Sequence, residues 1–418
     1  MQVSVPYGHL SLSVDIPEHV SAEVVSSKGW QTASQHDLVK DAFERPINIP
    51  KLSKLARGKR RIVIVTCDKT RSMPSEITLP FILEELKAAE VDKASVTVLI
   101  ATGLHKGETL DDLKEKVGGK LLEGLEVNIH DSDDQDQLAS LGNLRSGTPL
   151  SLNKAIVESD LVVVESVVEP HFFAGFTGGS KMILPGVAGT DTILRNHGWN
   201  NIDDPRSRYG IIENPVREDA NEALRYLKNV FALNLALDSR KRIVFASSGD
   251  ISASFTAAAE EVVRHSKVRV PVRPDVVITT NGGYPLDRNL YQCVKGVAVP
   301  EEIIHGKSRI IMAGECSDGI AHQGFLELLH AGTPSEIYQK IKSSSIPVRD
   351  QWQVQVLCRI LRQNPVWFVT RKELGSEIES AHLHYASTIE EALESAELTR
   401  GERLLVVPEG PAMILQTA

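Results

Sequence analysis

Eight short apolar runs constrain this chain more than any other feature of its sequence. They are RIVIVT (61–66), SVTVLIA (95–101), DLVVVES (160–166), RIVFAS (242–247), DVVITT (275–280), RIIMAG (309–314), VWFVT (366–370) and RLLVVP (403–408). None alternates apolar with polar residues as a half-buried strand would. Continuous runs of this length fit strands covered on both faces, which is the condition of a parallel sheet. Helical patterns separate many of them, among them SEITLPFILEELKAAEV (75–91) and TPSEIYQKIKSS (333–344). The second opens on Thr333, Pro334 and Glu336, a capping signature. Strand alternating with helix predicts an α/β fold built of two doubly wound, Rossmann-like domains.

Length agrees with that division, because 418 residues exceed what a single core of ordinary size holds. The stretch VRVPVRPDVV (268–277), with two prolines after a helical run, is the natural boundary. It predicts an N-terminal domain over 1–270 and a C-terminal domain over 275–418. No segment reaches the roughly 18–20 consecutive apolar residues that span a bilayer. The first residues lack the basic patch and apolar core of a secretory signal. A cytoplasmic protein without membrane contact is expected. A net charge of −9 argues against nucleic acid as a partner. Cys67, Cys293, Cys316 and Cys358 are far apart in sequence and form no CxxC pair, so neither a disulfide framework nor a thiolate metal cage is expected. The acidic run HDSDDQDQ (130–137) reads as a solvated loop, and KLARGKRR (54–61) as a solvated helix end leading into a strand.

In open parallel sheets, ligands bind beyond the carboxyl ends of the strands. The residues just past each run therefore matter. CDKTRSMP follows the first and carries Asp68, Lys69, Thr70 and Arg71; TGLHKGET follows the second and carries His105. After the third come Glu169, His171 and Lys181, and after the fifth a helical stretch with Gln292 and Lys295. Each has an ordinary explanation by itself: Arg71 as a surface ion pair, His105 as a loop residue, His171 as a ring packed beside two phenylalanines. His197 could cap the helix that begins near Asp191, with Gly198 as its C-cap. Four strand ends delivering cations, imidazoles and glycines to one rim is the stronger signal.

HFFAGFTGGSKMILPG (171–186) invites comparison with a phosphate-binding loop. The P-loop pattern needs glycine before its lysine and a hydroxyl after it. Counted from Gly175, Ser180 and Met182 occupy those positions, and the glycines at 175, 178 and 179 do not space as G-x-G-x-x-G. Gly178 and Gly179 would let backbone approach a ligand closely, but simple ATP chemistry is not expected. The residues alone imply an anion or nucleotide loop with a reactive lysine.

DKTRSMP (68–74), TGLHKG (102–107), EPHFFAGFTGGSKMILPGVAG (169–189), NHGW (196–199) and YQCVKG (291–296) occur in this order. In that set, nearly the whole chain resembles the nickel-pincer-nucleotide 2-hydroxyacid racemases and epimerases, the lactate racemase type. The resemblance implies an active site in the cleft between the two domains. It also implies a pyridinium-3,5-bisthiocarboxylate mononucleotide that binds Ni(II) and is tethered at Lys181. His197 would be the protein's nickel ligand, suited to a square-planar site. Asp68, Lys69, Thr70, Arg71, Gly178 and Gly179 would bind the cofactor. Arg71, Gln292, Lys295 and Trp352 would bind substrate, the alignment being looser around Trp352.

The implied chemistry removes the C2 hydrogen of a 2-hydroxyacid as hydride and returns it on the opposite face. His105 and His171 would exchange the hydroxyl proton, and the cofactor would carry the hard step. Separate cofactor-making enzymes would be required partners, and a homo-oligomer is compatible with the sequence. A nicotinamide-dependent dehydrogenase and a non-catalytic anion-binding module are the alternatives. Lactate, malate, 2-hydroxyglutarate, longer hydroxyacids and sugar acids all remain open as substrates. A dicarboxylate would need a further cation, for which Arg195, Arg206 and Arg208 are the candidates.

Overall fold

The computed structural model describes residues 1–417 apart from 18, 19, 32, 69, 106, 108 and 118, with the backbone alone at 116 and 117. It is a mixed α/β fold with two six-stranded sheets. Their strands, in chain order, are β1 (Ser21–Val24), β2 (Ile62–Cys67), β3 (Val96–Ala101), β4 (Glu126–Ile129), β5 (Leu161–Val167) and β6 (Val230–Leu237). They continue as β7 (Ile243–Gly249), β8 (Val276–Thr280), β9 (Arg309–Ala313), β10 (Val366–Val369), β11 (His384–Ala386) and β12 (Arg403–Val407). All eight apolar runs became strands. Every residue of β2, β5, β8 and β10 is buried, as strands covered on both faces require.

The first sheet runs β7-β6-β5-β2-β3-β4 and the second β11-β10-β9-β8-β12-β1. All neighbours are parallel except β6 and β7, which are antiparallel. The order reverses between β2 and β5 in the first sheet and between β8 and β12 in the second. Such reversals open a crevice at the strand ends where the connections diverge.

The expected 1–270 unit needs correction at its start. A hairpin of Gln2–Tyr7 with Leu10–Asp15 places Val3, Val5 and Val14 in one cluster with Val276, Ile278 and Ile311 of the second sheet. β1 then pairs with β12. The physical reason is coverage: the hairpin hides one apolar face of the second sheet, and β1 closes its edge. At the other boundary, Lys267–Val270 is itself a strand and pairs in parallel with the C-terminal Ile414–Thr417.

The helices that matter for the site are α1 (Ser75–Ala88), α2 (Thr190–Asn196), α3 (Trp199–Asp203), α4 (Pro215–Ala223), α5 (Ile251–Ser266), α6 (Leu290–Ala298) and α7 (Gln351–Leu361). The segment at 333–344 is a helix from Pro334 to Ser343 closed by the expected Thr333–Glu336 capping box. Gly198 is not a left-handed C-cap: its φ of −71° and ψ of 170° make it the N-cap of α3, so the chain passes from α2 straight into the next helix. In the acidic run, Asp134 caps a short 3-10 turn, and Arg349 reaches Asp133 at 3.4 Å. The four cysteines are buried and none is joined to another by a disulfide. Among the described residues no helix is long and apolar enough to cross a membrane.

Candidate functional site

The first group of side chains hangs from the carboxyl end of β2. Asp68 is 3% exposed and accepts from the Thr70 backbone N–H (3.1 Å) and hydroxyl (2.6 Å) at Oδ1. Its Oδ2 lies 2.7 Å from His105 Nδ1, on the turn after β3. Burial pushes the Asp68 carboxyl up. The hydrogen bond and charge of His105, the Thr70 bond and the Arg71 charge outweigh it and hold the pKa below the usual carboxylate range. With a carboxylate on Nδ1, His105 carries its proton there and presents a lone pair at Nε2.

The ends of this turn are clamped by a residue that sequence reading missed. Glu165 of β5 is fully buried and has no cation beside it among the described residues. Its Oε1 accepts from Thr66 (2.5 Å) and Ser75 (2.5 Å), and its Oε2 from Thr78 (2.6 Å). Thr66 is the last residue but one of β2 and Ser75 starts α1, so one carboxylate fixes both sides of the Asp68–Arg71 turn. Hydroxyl donors of this kind are what a buried carboxylate needs.

The second group follows β5. The chain turns back on itself, with His171 opposite Gly175 in a two-residue ladder, and then enters a 3-10 turn at Gly179–Met182 that carries Lys181. Phe173 is the hub of this group. Its ring centroid lies 4.6 Å from that of His171, 5.0 Å from that of His197 and 5.4 Å from Lys181 Nζ. Phe173 belongs to the apolar cluster of the second sheet. His171, Lys181 and His197 are thereby gathered where the two sheets' layers meet.

The glycines have a packing role of their own. Gly178 (φ 74°) and Gly179 (φ 59°) have left-handed backbones. A Cβ on Gly178 would fall 2.9 Å from Ser166 Oγ and Val167 O, and one on Gly179 2.8 Å from the Phe255 ring. The Gly179 N–H is already given to Ser166 Oγ and Asn234 Oδ1, each at 3.2 Å. What demands glycine here is the close folding of the loop onto β5 and α5. The sequence could not say which side of the loop would be crowded.

His197 closes α2 and is 5% exposed. Its Nδ1 lies 3.0 Å from Asn196 Oδ1. Asn196 in turn spends its amide N–H groups on Val216 O and Asp219 Oδ2, both at 3.1 Å, so its oxygen must face the imidazole. His197 is then protonated at Nδ1, and Nε2 has no protein partner among the described residues. Burial, followed by the Lys181 charge, pulls its pKa down to about 3. Trp352 stands edge-on to the same ring at 5.1 Å. It begins a stripe on α7 in which Gln355 donates to Trp199 O (3.2 Å) and Arg359 to Ile202 O (2.9 Å), so α7 grips the segment after His197.

The second sheet contributes α6 from beyond β8. Lys295 Nζ donates to Gln292 Oε1 at 2.6 Å, one helical turn away. Burial above all, and then the Arg71 charge, lowers Lys295 to about 7, with Glu169 acting in the opposite direction. Burial and then Lys181, Lys295 and Arg71 hold His171 well below the ordinary imidazole value. Its Nδ1 accepts from the Ala174 N–H at 3.3 Å, which leaves its proton on Nε2. Burial followed by Arg217, Arg71 and Lys295 lowers Lys181 well below the ordinary amine value.

The structure thus brings together His171, Lys181, His197, Trp352, Arg71, Lys295 and Gln292, with His105 joined through Asp68. Thr70 turns inward to Asp68 and is not a free donor, and Lys69 lies outside the described residues. Arg195, Arg206 and Arg208 do not join the group. Arg195 donates to Ser345 O (2.8 Å), Arg206 pairs with Asp204 (2.9 Å) and Glu218 (2.7 Å), and Arg208 with Glu301 (3.5 Å) and Glu302 (3.3 Å). Arg71 and Lys295 bring positive charge to this cluster and act on His171 and Lys181.

Comparison with known proteins gives a consistent result. Residues 7–210 match the lactate racemase N-terminal domain and residues 270–415 the lactate racemase C-terminal domain. The lactate racemase of Thermoanaerobacterium thermosaccharolyticum is 38% identical over 425 aligned residues, covering 99% of each chain. That of Lactiplantibacillus plantarum is 34% identical over 423, again covering 99% of both. The structure of the lactate racemase apoprotein from T. thermosaccharolyticum superposes with a TM-score of 0.94 at 38% identity over the whole of both chains. A Thermotoga maritima protein shares the fold at 16% identity and a TM-score of 0.67, over 92% of this chain and 98% of that one.

Proposed function

The chain belongs to the lactate racemase family, and from that premise we propose that it interconverts the enantiomers of lactate at C2 by proton-coupled hydride transfer. The observation that carries this reading is the convergence of Lys181, His171 and His197 on the Phe173 ring. The arrangement reads as two Rossmann-like units meeting at their switch points, with the cleft between them as the active site.

The residues fit the nickel-pincer nucleotide that the family resemblance implies. A covalent tether forms through an amine lone pair, and the surroundings of Lys181 favour the uncharged amine. A nickel ligand must offer an unprotonated nitrogen, and Asn196 leaves His197 Nε2 in that state. Among the described residues no group of three or more His, Cys, Asp or Glu could hold a metal. A single imidazole therefore needs the remaining donors from the nucleotide itself, which suits Ni(II) with soft ligands. When bound, this group supplies the acceptor and donor of hydride. The chain depends on other enzymes to make it.

The protein's own residues do the rest. Arg71 offers a planar fork to the substrate carboxylate and Lys295 a second positive charge, oriented by Gln292. His105, with Asp68 on Nδ1, is prepared to take the hydroxyl proton at Nε2. His171 rests in the opposite tautomer, with its proton on Nε2. The imidazole that takes the hydroxyl proton starts neutral with a free lone pair and the one that returns it starts as the imidazolium, so to serve the opposite enantiomer His171 must leave the tautomer seen here. His171, His197, Phe173 and Trp352 are buried and keep water from that side of the site, while His105 stands half-exposed at its edge. Because Arg195, Arg206 and Arg208 are committed elsewhere, a second carboxylate finds no clamp among them, which supports a monocarboxylate substrate over malate or 2-hydroxyglutarate.

The test uses protein produced together with the cofactor-making enzymes and given L-lactate alone. Chiral chromatography should show D-lactate rising toward an equal mixture, with the same end point reached from the other side. A preparation that carries the adduct on Lys181 and leaves both enantiomers unchanged would refute the reading.

A further inference from the structure

Among the described residues Arg217 stands apart from the other cations: it is buried and engaged by backbone, not by a carboxylate. It is 2% exposed, and among the described residues no acidic group forms an ion pair with it. A buried charge without a counter-ion is costly, and folds retain one only where it makes strong directed bonds. Arg217 gives Nη2 to Phe176 O at 2.7 Å and Nη1 to Gly178 O at 3.3 Å, with Ser180 Oγ at 3.5 Å. Its guanidinium lies 3.9 Å from the centroid of Phe255, the ring that also fills the space beside Gly179. The backbone beneath it is fixed in turn, because the Asn214 side chain caps α4 on the Arg217 N–H at 3.1 Å.

We propose that Arg217 is a positioning residue for covalent attachment of the nucleotide: its fork fixes the 176–180 loop and so aims Lys181 at the cofactor. The proposal rests on the tether reading above. Gly178 and Gly179 are the residues that make such a latch necessary. Two successive left-handed glycines give the loop more freedom than any other pair would, and Lys181 begins two residues later. A guanidinium spans two carbonyls at once, which an ammonium on a flexible stem does not. The same charge also acts on the Lys181 amine and favours its uncharged form.

Wild type, R217K and R217A are each produced with the cofactor-making enzymes, and the fraction of the Lys181 peptide carrying the adduct is read by mass spectrometry, with melting curves on the same samples. Loading in R217A should fall to about a tenth of wild type or lower. R217K should fall between the two. Ethylguanidinium, added during loading, should restore R217A, a recovery that mere loss of packing would not show. Where R217A fails to fold, R217K decides: it keeps the charge and lacks the fork. Wild-type loading in either variant, or a deficit in folded R217A that ethylguanidinium leaves unchanged, overturns the role of Arg217. An unmodified wild type would sink the tether reading and this proposal with it.

Discussion

Lys295 should make substrate affinity depend on pH across the neutral range. Its ammonium is opposed by burial and by the Arg71 charge, and its pKa stands at about 7. Lactate is an anion throughout this range, so the charged amine is the form that binds it. At pH 8, one unit higher, roughly a tenth of the lysine still carries its proton. KM for lactate should therefore be flat below about pH 6 and rise about tenfold per unit above 7. The rise has a ceiling, because Arg71 stays charged. Losing one charge-assisted contact of about 1.5–3 kcal/mol corresponds to a plateau about 10- to 150-fold above the low-pH value. Initial rates measured by chiral chromatography from pH 5.5 to 9, with KM and kcat fitted separately, test this. K295R, whose charge does not titrate, should lose the slope, and K295Q should sit at the high plateau at every pH. Stability carries a matching sign. The folded pKa lies below the unfolded value, so the unfolded chain binds more protons between about 7 and about 10.4, and apoprotein stability should rise with pH in that window. A wild-type KM that stays level from pH 6 to 9, or a K295R profile that keeps the slope, would refute the reasoning.

Three further outcomes are expected. D68N keeps the shape beside His105 and removes its counter-charge. It should lower kcat/KM by about 10- to 150-fold, the worth of one charge-assisted hydrogen bond, and unchanged kinetics would remove Asp68 from the proton path. Since the Asp68 pKa is depressed, its contribution to stability is present above about pH 4 and lost as the pH falls through the folded value, so the acid limb of the melting profile should flatten in D68N. N196A frees His197 to rotate and to protonate at either nitrogen. Nickel per tethered nucleotide, read by elemental analysis, should become about 10- to 100-fold easier to strip with a chelator, and equal retention would contradict the ligand role. E165A leaves the Thr66, Ser75 and Thr78 hydroxyls without their acceptor; the melting temperature should drop by the equivalent of about 2 kcal/mol or more and KM should rise as the Arg71 turn loosens, whereas a stability loss with KM intact would separate Glu165 from the site.

The architecture was legible wherever burial on both faces left its mark. Each apolar run became a strand, because a central parallel strand needs nothing more. Direction left no such mark. RIVFAS (242–247) reads like its parallel counterparts, yet β7 runs antiparallel at the sheet edge. β6, the strand beside it, was not read at all. Its sequence VFALNLAL is broken by Asn234, a fully buried amide that donates to Ser254 and accepts from Ser166 and the Gly179 N–H. A polar residue placed in a strand to hold a loop is invisible to a pattern search that treats polarity as exposure. The N-terminal hairpin was assigned to the wrong unit for a related reason: the apolar side of VSVPY is plain, but which sheet it covers is a long-range fact.

The site divides along the same line. The residues to which the proposed function gives a charge or proton, Asp68, Arg71, His105, His171 and Lys181, follow strands of one sheet, and parallel topology sends such positions to one rim, so they could be picked from the chain. Residues that act by fixing another group look like ordinary core. Phe173 reads as packing, Asn196 as the end of a helix, Glu165 as a stray carboxylate in a strand and Arg217 as a surface charge on an amphipathic helix. Each became legible only through its partners. A proton carrier can be replaced in sequence space by few residue types, whereas a positioning group is defined by geometry. The difference has a mechanistic consequence. The imidazoles at 105, 171 and 197 are chemically alike, and only the groups on Nδ1 separate them: the Asp68 carboxylate, the Ala174 N–H and the Asn196 oxygen. A carboxylate and an amide oxygen both leave Nε2 as a lone pair, and under the proposed function His105 would exchange a proton there and His197 would hold the metal. The amide N–H at His171 imposes the reverse tautomer. The three roles proposed for one side chain thus rest on the groups at its Nδ1.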